Sequence, residues 1–141
     1  MDDPSVTRLD PEQAWEFLAA RSFGRLAVSA LGQPDIFPVN YIVSDHRIVF
    51  RTAEGTKLMA IILDGHVAFE TDDIGETEGT SVVAQGRARR VEDSAEIEAL
   101  GLDRLHPQIP TFKYNVVVID VERITGRHIR FGEEPVHVPV M

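Results

Sequence analysis

Arg51, Thr56 and Lys57 lie where the chain changes backbone type, and that place gives them a possible chemistry. The stretch His46 to Leu63, HRIVFRTAEGTKLMAIIL, begins as a strand. Its Ile48, Val49 and Phe50 are the β-branched and aromatic residues that suit a pleated, buried surface. Ala53-Glu54-Gly55 is a small-residue turn, and Thr56-Lys57 opens a helical run through Leu58, Met59, Ile61 and Ile62. A strand, a glycine turn and a helix start leave several backbone N–H groups without intrahelical partners at one point. The helix dipole favours anions at that end, so it gives no reason for Arg51 just before the turn or Lys57 in the first helical turn. Two cations around a positive helix start are what a phosphate site needs. The same spacing also suits a plain strand–turn–helix join with two solvated charges. Thr56 is equally an N-cap, whose hydroxyl satisfies the first N–H groups.

Other chemistries find less in the sequence. The histidines are His46, His66, His106, His128 and His137; none pair at an i, i+4 helical spacing, and there is no HExxH. His106, in a proline-flanked loop, is the one conceivable axial haem ligand, and a surface histidine is the better reading. Neither GxGxxG nor GxxxxGK[ST] is present, so Rossmann and P-loop sites fail. Ser29 and Ser81 lack the context of a nucleophile elbow. The acidic loop Asp72 to Glu78 does not match an EF-hand, and no metal site is expected. With no cysteine in the chain, disulfides and thiolate ligands are excluded.

The length of 141 residues predicts one domain, 1–141. The net charge of −9, from 23 acidic and 14 basic residues, repels nucleic acid. The cluster Arg87, Arg89, Arg90 is answered at once by Glu92 and Asp93. A small anion is still compatible, because a local pocket can oppose the global sign. No run approaches the roughly 18 apolar residues of a membrane span, and the polar first ten residues do not resemble a signal peptide. A cytoplasmic protein is expected.

Several elements must position the candidates. Met1 to Leu9 reads as a loose arm. Asp10-Pro11-Glu12-Gln13 is a helix start with a capping box, and Trp15, Leu18 and Ala19 form its apolar stripe, Trp15 as its anchor. Phe23 to Ala30 and Ile36 to Val43 read as a hairpin around Gly32-Gln33-Pro34, and Pro38 requires an edge or a bulge. The strand through Ile48 to Arg51 follows. His66 to Thr71 and Ser81 to Val91 are strands, with Gly86 marking a bulge or close backbone approach. Asp93-Ser94-Ala95-Glu96 predicts a second capping box, opening a helix through Ile97, Leu100 and Leu105 that Gly101 weakens. Asn115 to Arg123 is a strand, Gly126 to Phe131 continues sheet-like, and Glu133 to Met141 is an extended tail. About six strands with short peripheral helices, in no βαβ alternation, predict a mainly β chain. Antiparallel pairing closed into a small barrel would remove the exposed edges.

The segments Gly24-Arg25-Leu26-Ala27, Pro38-Val39-Asn40-Tyr41, Ile48 through Lys57, Ser81 through Ala88 and Ile124-Thr125-Gly126-Arg127, in this order, resemble the pyridoxamine 5'-phosphate oxidase-like family, the flavin-binding split barrels. The resemblance spans roughly Phe23 to Arg127. It implies an antiparallel split β-barrel that forms a homodimer and binds FMN in clefts at the dimer interface. Carried onto this chain, Arg51, Thr56 and Lys57 would hold the phosphate. The backbone of Arg51, Thr52 and Ala53 would run along the isoalloxazine edge, and Pro38, Val39 and Asn40 would line the cleft from the neighbouring strand. Gln85 would approach from the other subunit. Many such relatives carry Trp and Arg where this chain has Gly79 and Thr80. The substrate-binding C-terminal motif of the true oxidases is absent, so vitamin B6 oxidation is not implied. The function implied is an FMN-dependent oxidoreductase acting on a small-molecule substrate. The alternatives are a deazaflavin (F420)-dependent reductase and a non-catalytic cofactor-binding or interaction module. The valine-rich strand Asn115 to Val121 and the strand from Ser81 are the expected dimer face, since apolar area beyond one small barrel's capacity needs a partner.

Overall fold

The computed structural model describes residues 5–53, 57–63, 65–105 and 114–132. Along them run β1 (Val6–Leu9), α1 (Pro11–Ala19), β2 (Phe23–Ala30), β3 (Gln33–Asn40), β4 (Ile42–Val43), β5 (Arg47–Ala53), α2 (Lys57–Ile62), β6 (His66–Ile74), β7 (Glu78–Val91), α3 (Ser94–Ala99), a 3-10 turn (Leu102–Arg104) and β8 (Tyr114–Arg130). The strands form one antiparallel sheet in the order β3-β2-β6-β7-β8-β5-β4, with β1 on β8. Only Tyr41 separates β3, at one end of that order, from β4 at the other. The sheet therefore curls until its two ends meet, and the expected small antiparallel barrel is present.

Eight strands replace the expected six or so. Val6–Leu9 is not a loose arm: it pairs with β8 from Val6↔Ile129 to Leu9↔Gly126. The 17-residue β8 is long enough for β5 to use the first half of one edge and β1 the second, which gives the arm its ladder hydrogen bonds. The predicted strand Ile36 to Val43 breaks at Tyr41, whose N–H donates to the Ser22 carbonyl at 3.0 Å instead of to a strand. The acidic stretch Asp72 to Gly79 is mostly strand, because β6 runs on to Ile74 and β7 starts at Glu78. Pro38 lies on the sheet-edge strand β3, as its missing N–H demands.

Gly86 is a close approach, as expected. A Cβ there would collide with the Asp120 carbonyl oxygen. The register passes from Gln85↔Arg123 to Gly86↔Val121, so the extra residue of the bulge is Glu122 on β8, opposite Gly86 rather than at it.

The core inside the curl contains Leu26, Ile48, Phe50, Phe69, Val82, Val117 and Ile119, closed by Ala14 and Leu18 of α1 and by Met59 and Ile62 of α2. A second cluster lies on the outer side of β5 and β8, where Val49, Val116 and Val118 meet Val91, Leu100 and Leu105. The valine-rich strand is thus buried on both faces within one chain. That corrects its assignment as a dimer face: the apolar area is covered by α3 and the 3-10 turn.

The caps follow local chemistry. Asp10 and Gln13 form the expected capping box, with bonds of 2.8 and 3.0 Å. Ala14 and Leu18 are the fully buried residues of α1, and the partly buried Trp15 packs against the same core. Trp15 stacks on His46 with ring centres 4.7 Å apart. Asp93 caps α3 through Ala95 N, but Glu96 does not complete a box because its carboxylate faces Arg89. Gly101 ends this helix in the left-handed region at φ 70°, so α3 stops short of Leu105.

Tyr41 ties the closure together. Its ring meets Phe69 edge-on, and its hydroxyl donates to the Leu18 carbonyl at 2.6 Å inside the core. Burial, only partly opposed by Thr71 and by the charge of Arg21, pushes its pKa up to about 12. The folded state thus favours neutral tyrosine, whose stabilising effect is intact below the ordinary phenol value of 10 and is lost as pH rises towards 12. Alkaline unfolding followed by circular dichroism should show a transition in that window. In Tyr41→Phe that transition should be shallower, with neutral-pH stability lower by about 1–2 kcal/mol.

Candidate functional site

The β4–β5 ladder consists of Ile42↔Val49 and Val43↔Ile48. Continued, that register would set Asn40 against Arg51, Val39 against Thr52 and Pro38 against Ala53. Instead β3 turns away after Tyr41 and pairs with β2 along its whole length. β5 keeps β8 on its other edge as far as Ala53↔Tyr114. Two strands that start side by side therefore diverge, and the split between them has Pro38–Asn40 on one lip and Arg51–Ala53 on the other.

Each lip residue takes its orientation from strand alternation. Phe50 and Thr52 point inward, and the Thr52 hydroxyl lies 3.5 Å from the Met59 sulfur of α2. Val49 and Arg51 point outward, Val49 into the second cluster. The Arg51 guanidinium donates to the Leu105 carbonyl at 3.3 Å. Ala53 is exposed. On the other lip Val39 leans against the core, whereas Pro38 and Asn40 are exposed. α2 begins at Lys57, four positions after Ala53. Thr56 lies outside the described residues.

Gln85 stands elsewhere. Arg51 shares a cross-strand row with Val116 and Val91, and Gln85 lies six residues from Val91 along β7, about 20 Å at the strand rise. It lines an outer-face hollow of about 530 Å³ together with Ala27, Ala68, Gly86, Glu122 and Arg123. One chain does not bring Gln85 to the split.

Sequence reasoning missed two features. The Leu105 carbonyl reaches Arg51 across 54 positions, and a backbone acceptor has no residue-type signature. The outer face also divides by charge. Arg25 pairs with Glu70 at 2.7 Å and Asp72 at 3.5 Å on one side. Arg87, Arg123 and Arg127 on the other side have no carboxylate partner among the described residues. Burial, with Asp72 alongside, raises the Glu70 pKa despite Arg25. Alternation on β2, β6, β7 and β8 was readable, but which strands adjoin was not. Among the described residues no cluster of ligands could hold a metal ion, and no helix is long and apolar enough to cross a membrane.

A family model for pyridoxamine 5'-phosphate oxidase matches residues 10–128, and the chain belongs to that family. Its curled antiparallel sheet is the flavin-binding split-barrel fold. The chain is similar to the structure of the FAD binding protein from Mycobacterium smegmatis, with 36% identity and a TM-score of 0.83, over 89% of this chain and 100% of that one. A protein of unknown function from Corynebacterium diphtheriae, DIP1874, is 40% identical over 89% of this chain and 98% of its own, with a TM-score of 0.79. The uncharacterized Mycobacterium tuberculosis protein Rv3129 is 39% identical over 94 residues, covering 67% of this chain and 86% of its own length.

Proposed function

We propose that the chain is a flavin-dependent oxidoreductase acting on a small molecule, with FMN as the flavin. The observation that carries this reading is the divergence of β3 from β5 at Tyr41. It opens a strand edge beside the guanidinium of Arg51 and the first residue of a helix. These residues fit a phosphorylated planar cofactor: a cation at one end, and strand backbone and small side chains along the rest. Arg51 and Lys57 would hold the phosphate, with the Thr56 hydroxyl joining them. Backbone groups of Thr52 and Ala53 would bond the polar rim of the ring, and Pro38, Val39 and Asn40 would flank it. When bound, the isoalloxazine supplies hydride transfer, and the protein binds and orients it. The similar FAD binding protein of Mycobacterium smegmatis supports a flavin and makes FAD the first variant to test against FMN.

A homodimer belongs to this reading, because Gln85 would reach the split only from a second copy. The outer face is suited to one. A twofold axis near Val83 would set Arg123 and Arg127 of one copy against Glu70 and Asp72 of the other, as an isologous contact requires. Ile36 and Phe23, 63% and 51% exposed, lie on the same face. In sedimentation, Arg123→Glu with Arg127→Glu should turn a dimer into monomers; an unaltered dimer would refute this face.

Titration of the apoprotein with FMN, FAD, riboflavin and F420, read by absorbance and fluorescence, tests the cofactor. Saturable FMN binding at micromolar concentration or below, weakened by phosphate, is expected. Tight F420 with weak FMN would transfer the chain to the deazaflavin reductases. Folded protein that binds none of the four would refute the cofactor site. Flavin binding with no turnover, using reduced nicotinamides and common acceptors, would favour the non-catalytic module.

A further inference from the structure

The Arg51 guanidinium does not stand on β5 alone. It meets a backbone carbonyl, that of Leu105, at the end of a segment fastened to the sheet at several points. At the near end, Arg104 donates to three carbonyls: Gly101 at 3.3 Å, Leu100 at 3.2 Å and Val43 of β4 at 3.3 Å. Two of these close the turn after α3, and the third pins it to β4. Leu100 and Leu105 are buried against Val49, the neighbour of Arg51 two residues back on the same face of β5. At the far end, Glu96 takes a bidentate pair from Arg89 at 3.1 and 2.9 Å and a third contact from Arg47 at 3.4 Å. Arg89 in turn engages Asp120 of β8. Two of the strands that build the split, β4 and β5, thus hold the same segment that touches Arg51.

A carbonyl is a particular kind of partner. It orients a guanidinium through its partial charge. The five donors of a guanidinium also allow one to be spent on orientation while others face a ligand. Fixing the guanidinium beforehand reduces the ordering cost on binding.

We infer that the segment from Ser94 to Leu105 is the positioning element for Arg51, and that Arg104 and Glu96 are positioning residues of the phosphate end of the cofactor site. The inference rests on the reading of Arg51 as a phosphate ligand. It assigns a role to an ion-pair and carbonyl network that would otherwise only hold α3 in place.

The test uses a ligand pair that differs only in the phosphate: FMN and riboflavin, titrated into the intact protein, Arg104→Ala, Arg51→Ala and the double variant. Arg104→Ala should weaken FMN about three- to tenfold, the range of one misaligned charge-assisted bond. Riboflavin affinity should stay the same. In the Arg51→Ala background Arg104→Ala should have no further effect on FMN. A loss that is equal for both flavins, a loss that persists without Arg51, or no loss at all overturns the inference alone. Unaltered FMN binding by Arg51→Ala overturns the phosphate reading, and the inference with it, so the two failures are separable. If Arg104→Ala does not fold, Glu96→Gln, which weakens the opposite anchor and keeps its shape, carries the same comparisons with the same expected signs.

Discussion

Replacing Arg51 and Lys57 together by alanine should weaken FMN binding about a hundredfold or more, while riboflavin binding changes little. A hydrogen bond to a charged group contributes roughly 1.5–3 kcal/mol, and two such losses correspond to about two to four powers of ten in affinity. Solvent screening at a split open to water places the expectation at the lower end. The two residues belong to different elements, Arg51 to β5 and Lys57 to the start of α2, so each single variant should lose part of the effect. Isothermal titration of the four proteins with both flavins measures it, and circular dichroism checks the fold. Loss of Arg51 also removes its bond to Leu105, so a small fall in melting temperature should accompany the binding defect. An equal loss for FMN and riboflavin would mean that the pair shapes the cleft and does not bind phosphate.

Gly86→Ala should be among the most destabilising single substitutions in the sheet. The added Cβ would meet the Asp120 carbonyl oxygen, with the Asp120 carbonyl carbon and Val121 Cα each 2.9 Å away. All three are backbone atoms of a strand held by β7 on one side, so none can swing aside as a side-chain end would. Overpacking of this kind costs roughly 1–3 kcal/mol and sometimes more. The upper part of that range corresponds to a fall in melting temperature of very roughly 10 °C. Gly65→Ala is the matched control. A Cβ at Gly65 meets nothing within 4 Å, and its stability should stay near that of the parent. Thermal unfolding of the two variants settles the comparison. A Gly86→Ala protein as stable as Gly65→Ala would show that the bulge at Glu122 slides to make room. Since Gly86 also lines the hollow beside Gln85, the same variant should disturb the proposed dimer contact, and sedimentation would detect it.

What the sequence determined by itself is local chemistry. Asp10 with Gln13 had to cap a helix, Pro38 had to sit on an edge or at a bulge, and Gly86 marked a bulge or a close backbone approach. Each follows from a donor lost, a donor satisfied or a Cβ missing, and none needs a distant partner. The antiparallel barrel was legible for the same reason, in the order of strands and turns, and so was the grouping of Arg51, Thr52 and Ala53 with the start of a helix.

The tertiary structure decided everything that depends on which surfaces meet. Val116 and Val118 read as a face awaiting a second chain, because sequence cannot say that Leu100 and Leu105 fold back over them. Val6–Leu9 read as a loose arm, because its partner is the far half of β8. Glu96 read as half of a capping box, because Arg89 and Asp120 beside it come from separate strands. The carbonyl that meets Arg51 has no identity in the sequence, since every residue carries one. A side chain's type states what it can bond, but its partner is chosen by register and curl, through contacts between residues far apart in the chain.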